Sequence, residues 1–189
     1  KIVFNKYDIP IFIDEKKELN QNILIKYILA ILDIFSKNWS FDSVFNFLKL
    51  GMSGISEDDI YVLENYCRKW GIRNYKWFKK FEFEEANENQ EKAENLRERI
   101  IVPLIKFKED ISKERTVKEI TKNIYEFLIE NKISEILDRK LKSINNVEIN
   151  NEYNTSYKIL VRIFDEIVSI FENEKMSFED YKSLLQVRI

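Results

Sequence analysis

The chain has 189 residues, of which 44% are hydrophobic and 34% are charged. This balance is typical of a folded globular domain and excludes both a disordered chain and a membrane-embedded one. The 31 basic and 33 acidic residues leave a formal net charge of -2, so overall charge does not attract the chain to nucleic acid or to an anionic membrane. Any such binding has to depend on a local cluster of charge.

The rarest residue types restrict the possible fold classes and the cellular compartment of the protein. Three glycines and two prolines are too few for an all-β fold with many tight turns. The single cysteine, Cys67, excludes an internal disulfide. The most apolar stretch, residues 23–35, is interrupted by Lys26 and Asp33, so no membrane span is predicted. The first residues have no signal-peptide pattern, and we expect a cytoplasmic protein.

The N-terminal stretch "DIPIFIDEKKEL" predicts the only β-strand. Pro10 is followed by Ile11, Phe12 and Ile13, and then by a charged turn. A lone strand cannot satisfy its backbone hydrogen-bonding groups, because a ladder needs a second strand. These residues alone do not show where the partner strand of Ile11–Ile13 lies.

Apolar residues recur at helical spacing along most of the remaining chain. The predicted helices cover residues 22–35, 41–50, 57–70, 88–112, 117–132, 133–147, 157–171 and 178–187. The intervening segment 72–87 has no sustained period and is expected to be a loop. The polar stretch around 145–154 is expected to be a break, and a helical conformation for part of it is left open. The prediction is a mainly α fold: an irregular domain of seven or eight helices with one short N-terminal strand.

Several of these helices begin with residues that cap helix N-termini. Ser40 precedes the second helix. Three further helices begin with a Ser or Thr followed three residues later by an acid: Ser56 with Asp59, Thr116 with Glu119, and Ser177 with Asp180. This spacing predicts a capping box, in which the hydroxyl and the acid each accept a backbone N–H.

The residues needed for most catalytic centres are missing from this sequence. It contains no histidine, which excludes imidazole bases and histidine metal ligands. Cys67 has no second cysteine, so zinc and iron–sulfur sites lack ligands, and its position on an inward helix face predicts a small buried hydrophobe. "GMSG" is not followed by Lys-Ser or Lys-Thr, so a phosphate-binding loop is not predicted. We expect no catalytic, cofactor-binding or metal site in this chain.

One cluster stands out from this background. "CRKWGIRNYKWFKKF", residues 67–81, contains six cations and no acid, interleaved with aromatic residues. Cations that neutralise phosphates beside rings that stack on bases are typical of single-strand or fork binding. The candidate DNA-binding residues are Arg73, Lys76, Lys79, Lys80 and Trp77.

A structural interpretation of the same cluster is open, and it is the one we favour. The tryptophans would anchor a corner between a helix and a loop, while the lysines keep that corner soluble. The acidic segment "EFEEANENQE" that follows would neutralise much of the positive charge if it folded back onto the cluster.

Longer stretches of the sequence resemble a known family. "YDIPIFIDEKKELNQNILIKYILAILDIFSKNWSFDSVFNFLKLG", "ISEDDIYVLENYCRKWGIRNYKW" and "LRERIIVPLIKF" resemble a segment of the B subunit of the bacterial AddAB-type ATP-dependent helicase/deoxyribonuclease. The resemblance continues more weakly in "TVKEITKNIYEFLIENKI" and "FEDYKSLLQVRI", so it spans essentially the whole chain.

The resemblance implies a helical insertion, like the 2B domain of superfamily 1 helicases, within a RecA-like motor domain. Residues 1–20 would be a strand and linker from the motor domain, and residues 21–189 the insertion, together forming a single helical fragment of a larger chain. The parent is expected to use ATP, Mg²⁺ and an iron–sulfur cluster and to bind DNA and an A subunit. No catalytic motif of the family maps onto this sequence.

Two functions therefore compete. The preferred one is a non-catalytic domain that orients DNA or packs on the partner subunit during double-strand break processing and recombinational repair. The alternative is a free-standing helical adaptor that binds another protein through an apolar groove. A small enzyme built on carboxylates, lysines and tyrosines is less favoured, because it needs several acids converging in one pocket.

Overall fold

In a computed structural model of the chain, the structure describes residues 22–82, 88–112, 115–143 and 147–188. Eight α-helices lie in these ranges, and they confirm the mainly α prediction. They are α1 (Ile23–Ser36), α2 (Phe41–Lys49), α3 (Glu57–Trp70), α4 (Glu88–Ile111), α5 (Val117–Glu130), α6 (Ile133–Ser143), α7 (Val147–Phe171) and α8 (Phe178–Arg188). A 3₁₀ helix, Asn74–Phe78, lies between α3 and α4.

Helix α1 has buried residues on most of its sides and lies at the centre of the fold. It packs against α2, α7 and α8. Asn22 caps its N-terminus, because the side-chain oxygen accepts hydrogen bonds from the N–H groups of Leu24 and Ile25. The amide nitrogen of Asn22 also donates to the Ser156 carbonyl at 3.0 Å, which joins the start of α1 to α7.

Phe35 on α1 lies where α1, α4 and α8 meet. Its ring centroid is 5.9 Å from that of Phe107 on α4 and 6.1 Å from that of Phe178 on α8. The ring of Trp39, in the turn after α1, lies 5.6 Å away. Because tilted and edge-to-face ring pairs stabilise beyond the area they bury, this cluster fixes the relative positions of α1, α4 and α8.

A two-stranded ladder that the sequence did not predict joins the starts of α5 and α8. Strands β1 (Arg115–Thr116) and β2 (Lys175–Met176) pair antiparallel, with Arg115 opposite Met176 and Thr116 opposite Lys175. Two residues per strand are too short to show a period in the sequence. The strand predicted at Ile11–Ile13 lies outside the described residues.

Two helix predictions need correction. The segment expected to be a loop contains the 3₁₀ helix Asn74–Phe78. The helix predicted from Tyr157 begins earlier, at Val147, so the described part of the polar stretch takes the helical alternative and forms the beginning of α7. Asn has a low helix propensity, but propensity is a weak guide that tertiary structure often overrides.

The predicted N-cap hydroxyls accept hydrogen bonds at Ser56, Thr116 and Ser177, and the complete capping box is formed by Thr116 and Glu119. The N–H of Asp59 donates to Ser56 Oγ at 3.2 Å, and the N–H of Asp180 donates to Ser177 Oγ at 3.1 Å. Both halves of a capping box form at the start of α5. The N–H of Glu119 donates to Thr116 Oγ1 at 3.2 Å, and the N–H of Thr116 donates to Glu119 Oε2 at 2.8 Å.

Candidate nucleic-acid interface

The candidate cations lie on one corner of the fold, which we call the basic corner: residues 68–80, from the last turn of α3 to the exit of the 3₁₀ helix. Gly71 ends α3 in the left-handed conformation, with φ of 58°. The N–H of Ile72 donates to the Cys67 carbonyl at 2.8 Å, and that of Gly71 to the Arg68 carbonyl at 3.4 Å. These two bonds form a Schellman motif, which turns the chain sharply out of α3.

Asn74 attaches the start of the 3₁₀ helix to the turn between α1 and α2. Its N–H donates to the Trp39 carbonyl at 2.9 Å, and its side-chain nitrogen donates to the Asn38 carbonyl, also at 2.9 Å. All three residues have positive φ angles, which is uncommon for residues other than glycine. The hydrogen bonds hold this unusual backbone in place, so the basic corner is fixed at this point.

Trp77 anchors the middle of the 3₁₀ helix. Its side chain is completely buried, with its ring centroid 6.1 Å from that of Phe45 on α2 and 6.0 Å from that of Phe81. A ring in this position cannot stack on a nucleic-acid base without unfolding the corner. We therefore remove Trp77 from the candidate DNA-binding residues, in agreement with the structural interpretation of the tryptophans.

A buried ion pair on α4 holds the exit of the basic corner. The Arg97 guanidinium donates to both oxygens of the Glu94 carboxylate, at 2.7 and 2.6 Å. Glu94 Oε2 also accepts the backbone N–H of Phe81 at 2.8 Å, and Arg97 Nη1 donates to the Trp77 carbonyl at 3.4 Å. The Arg97 side chain is only 9% exposed, and the Glu94 side chain is only 11% exposed. The pair therefore links α4 to the backbone on both sides of the last corner cations.

The pKa of Glu94 is set by two opposing effects, burial and hydrogen bonding. Burial by itself would raise the pKa of the Glu94 carboxyl, because a charged group is costly to remove from water. The hydrogen bonds from Arg97 and from the Phe81 N–H outweigh burial, and the pKa is lowered below its usual range. Glu94 is therefore ionised at neutral pH and retains its full attraction for Arg97.

Three of the candidate cations lie at the surface. Arg73 is exposed and has no carboxylate partner among the described residues. Lys79 is exposed and lies with Nζ 5.2 Å from the centroid of the Tyr75 ring. Lys80 pairs with Glu82 at 3.0 Å, and the hydrogen bond to that carboxylate raises the pKa of Lys80. Both side chains of this pair are exposed, so the pairing is weak and does not remove Lys80 from the surface.

Lys76 has a structural contact instead. It is half-buried, and its Nζ donates to the Trp70 carbonyl at 2.9 Å. A cation at the C-terminus of a helix is favourable, because the last carbonyls carry partial negative charge. Lys76 is thus the least accessible of the four candidate cations.

Two aromatic residues that the candidate set omitted are exposed beside these cations. Tyr75 is 62% exposed and Phe78 is 46% exposed. The period of a 3₁₀ helix is three residues, so Tyr75 and Phe78 share its outer face while Asn74 and Trp77 share the inner one. The sequence could have distinguished the buried ring from the exposed ones only if this short helix had been recognised.

Cys67 lies in the core, and the described acidic residues do not converge on a metal site. The Cys67 side chain is completely buried, which confirms the predicted small hydrophobe, and burial raises the pKa of its thiol. No group of three or more Cys, Asp or Glu side chains among the described residues could hold a metal ion. None of the helices described is both long and apolar enough to cross a membrane.

These features define a class of protein: an irregular multi-helix domain that presents exposed cations and rings on a rigid corner. Comparison with known proteins is more specific, although no protein-family model matches the chain. The chain is 35% identical, over 99% of its length, to the B subunit of the ATP-dependent helicase/deoxyribonuclease of Caldanaerobacter subterraneus subsp. tengcongensis. The B subunits of the same enzyme from Clostridium novyi and Clostridium acetobutylicum are 33% and 31% identical over 99% and 100% of the chain.

The chain spans only 17% to 18% of the length of these relatives. It is therefore similar, from one end to the other, to one segment of the B subunit of a helicase/deoxyribonuclease. This similarity confirms the family resemblance found in the sequence.

Proposed function

We propose that this chain is a non-catalytic helical domain from the B subunit of an ATP-dependent helicase/deoxyribonuclease, and that it contacts DNA through the basic corner. The observation that carries the proposal is the similarity to such B subunits along 99% of the chain. The names of those relatives join an ATP-dependent helicase to a deoxyribonuclease, two activities that require the enzyme to hold DNA.

The surface of the basic corner supports a DNA contact. Arg73, Lys79 and Lys80 supply exposed positive charge for phosphates, and Tyr75 and Phe78 supply exposed rings that can stack on bases or pack on sugars. The supporting backbone is held by the Schellman turn, by Asn74 and by the ion pair on α4. A rigid support reduces the entropy lost when these side chains bind, which favours a contact of defined geometry.

The proposal also assigns separate roles to this chain and to the other parts of the parent enzyme. Residues 21–189 form the helical insertion and residues 1–20 the connection to the motor domain. ATP, Mg²⁺ and an iron–sulfur cluster are bound by other parts of the parent chain or by a partner A subunit. In this arrangement the chain orients duplex DNA ahead of the motor or packs on the A subunit during break processing and recombinational repair in the cytoplasm.

The test is the salt dependence of DNA binding by the assembled enzyme. Each phosphate contact contributes a slope of about -0.9 to the plot of log K against log salt concentration for duplex DNA. The double variant Arg73→Glu/Lys79→Glu removes two cations that make no ion pair among the described residues. We expect it to weaken binding of a forked DNA and to reduce the slope by about 1.8.

The control must change the charge equally without touching the basic corner. Arg139→Glu/Lys142→Glu on α6 does so, because both side chains are exposed. This control should leave the slope within about 0.3 of the unmodified enzyme. Equal slopes and equal affinities for the Arg73/Lys79 variant and the unmodified enzyme would show that the basic corner is structural only.

A further inference from the structure

The two exposed rings of the basic corner, Tyr75 and Phe78, have a spacing that suits a single base. They are three residues apart on the outer face of the 3₁₀ helix Asn74–Phe78. Side chains at this spacing eclipse in a 3₁₀ helix, and each residue rises by about 2.0 Å, so the two rings leave the backbone one above the other, about 6 Å apart. Stacked bases are about 3.4 Å apart, so a base with a ring on each side needs about 7 Å.

The Phe78 ring is supported from below while about half of it stays open to solvent. Its edge-to-face partner is the ring of Trp39, with centroids 5.2 Å apart and planes at 80°. Trp39 is completely buried, and its carbonyl accepts the N–H of Asn74 at the start of the same 3₁₀ helix. The support fixes the position of Phe78, so little conformational freedom is lost when a base stacks on the ring.

Cations flank the two rings at both ends of the 3₁₀ helix. Arg73 precedes it, and Lys79 and Lys80 follow it, all three exposed. The ammonium of Lys79 lies 5.2 Å from the centroid of the Tyr75 ring, so a cation is already beside the ring on which a base would stack. Each base in a strand has a phosphate on either side. A base held at the rings therefore brings its phosphates to these cations.

Paired DNA cannot use such rings. In a duplex the neighbouring bases cover both faces of each base, and only the base edges are open in the grooves. An unpaired base exposes its faces, and every base can stack on an aromatic ring, whatever the sequence.

We propose that the basic corner binds an unpaired strand of DNA and holds one base between Tyr75 and Phe78. This inference rests on the proposed function and names the form of DNA that the corner takes. The corner binds the open strand at a fork, and the enzyme orients the duplex through that strand. Tyr75 and Phe78 are then the residues that distinguish unpaired from paired DNA.

The test combines a protein variant with a DNA that lacks one base. Forked DNAs with a single abasic site at successive positions of an unpaired arm are bound to the assembled enzyme without ATP. At one position we expect the missing base to weaken binding about tenfold for the unmodified enzyme, but less than about twofold for Tyr75→Leu. Positions held by other parts of the enzyme lose the same factor in both proteins. If the missing base weakens binding equally in both proteins at every position, the proposal is overturned.

Two further variants test the ring pair itself. Phe78→Leu should suppress the effect of the abasic site at the same position as Tyr75→Leu does, because both rings hold the same base. Tyr75→Phe keeps the ring and should behave as the unmodified enzyme does. Different positions for the two leucine variants, or a Tyr75→Phe enzyme that behaves like Tyr75→Leu, would contradict a base held between the rings.

Two controls separate stacking from a general loss of binding. Tyr61→Leu removes a ring on α3 that is also exposed but lies outside the basic corner, and it should leave the dependence on abasic position unchanged. A blunt duplex with covalently cross-linked terminal base pairs cannot open, and the unmodified and Tyr75→Leu enzymes should bind it within about twofold of each other. If Tyr75→Leu weakens binding of this closed duplex as much as binding of the fork, the rings act on paired DNA and the proposal is refuted.

This inference and the proposed function can fail separately. A reduced salt slope for Arg73→Glu/Lys79→Glu, without any position that depends on Tyr75, would keep the DNA contact and refute the base held between the rings. An unchanged salt slope and affinity would refute the DNA contact, and with it the inference.

Discussion

Replacing Arg97 alone should destabilise the fold more than replacing Arg97 and Glu94 together. Arg97→Met removes the guanidinium but leaves the Glu94 carboxylate, whose side chain is 11% exposed, without its cation. Breaking a buried ion pair in this way costs about 3–5 kcal/mol, because the remaining charge stays in a poorly solvated site. For a domain with a total stability of about 5–15 kcal/mol this loss is large.

The double variant Glu94→Gln/Arg97→Met removes both charges and keeps one essential contact. A glutamine oxygen at position 94 can still accept the N–H of Phe81, which donates to the Glu94 carboxylate at 2.8 Å in this structure. We expect a cost of about 1–2 kcal/mol for the double variant, because its remaining losses are one weak hydrogen bond and some packing. The second substitution should therefore recover about 2–3 kcal/mol of the stability lost by the first.

Urea unfolding followed by helical circular dichroism measures these free energies, and pH gives an independent check. Without Arg97, the pKa of Glu94 should rise from its lowered value, because burial is then opposed by the Phe81 N–H and Lys80 but no longer by the guanidinium. The stability that the lowered pKa contributes to the unmodified chain is lost as pH falls toward that folded pKa, so the cost of Arg97→Met should shrink below about pH 5. Equal instability of the single and double variants, or a cost of Arg97→Met below about 1 kcal/mol at pH 7, would refute the role given to this pair.

Two further predictions concern individual side chains. Trp77→Ala should lower the free energy of unfolding in urea by about 3–5 kcal/mol, because it empties a buried site. Tyr75→Ala should change that free energy by less than about 0.5 kcal/mol but weaken binding of forked DNA. A reversed order of the two stabilities would contradict the assigned faces of the 3₁₀ helix. Asp33 pairs with Lys37 and Lys182: burial raises the pKa of its carboxyl, but the two lysines together lower it by more, so the net pKa is below the usual range. The stability contributed by this lowered pKa is present above about pH 4 and is lost as pH falls through the folded pKa. Asp33→Asn should therefore make the free energy of unfolding less dependent on pH in the acid range. An unchanged pH dependence there would contradict this pairing.

The helices and their caps could be predicted because their causes are local in sequence. The period of apolar residues in α1 and the Thr116–Glu119 pair each lie within a few turns of chain. The beginning of α7 was left open between a break and a helix, because its Asn-rich sequence opposes helix formation. The strands β1 and β2 were missed because each consists of two residues whose partner lies far away along the chain.

Only part of the candidate site could be predicted, because the burial of its side chains depends on contacts with residues outside the local sequence. The composition of residues 67–81 showed that cations and rings occur together, but not which rings are buried. Trp77 and Tyr75 differ only in the face of a 3₁₀ helix on which they lie. The Glu94–Arg97 pair has the spacing of an ordinary surface ion pair. Its burial depends on Phe81 and Trp77, which reach it from outside the helix.

Photo-crosslinking from position 75 tests the central claim most directly, that the basic corner contacts DNA. A benzoylphenylalanine placed at Tyr75 in the assembled enzyme is exposed beside Lys79, and the same residue placed at Tyr125 on α5 is an exposed control of the same kind, since Tyr125 is 45% exposed. The proposal predicts covalent attachment to a forked DNA from position 75 and little from position 125. An enzyme that binds and unwinds the fork but gives no attachment from position 75 would contradict it.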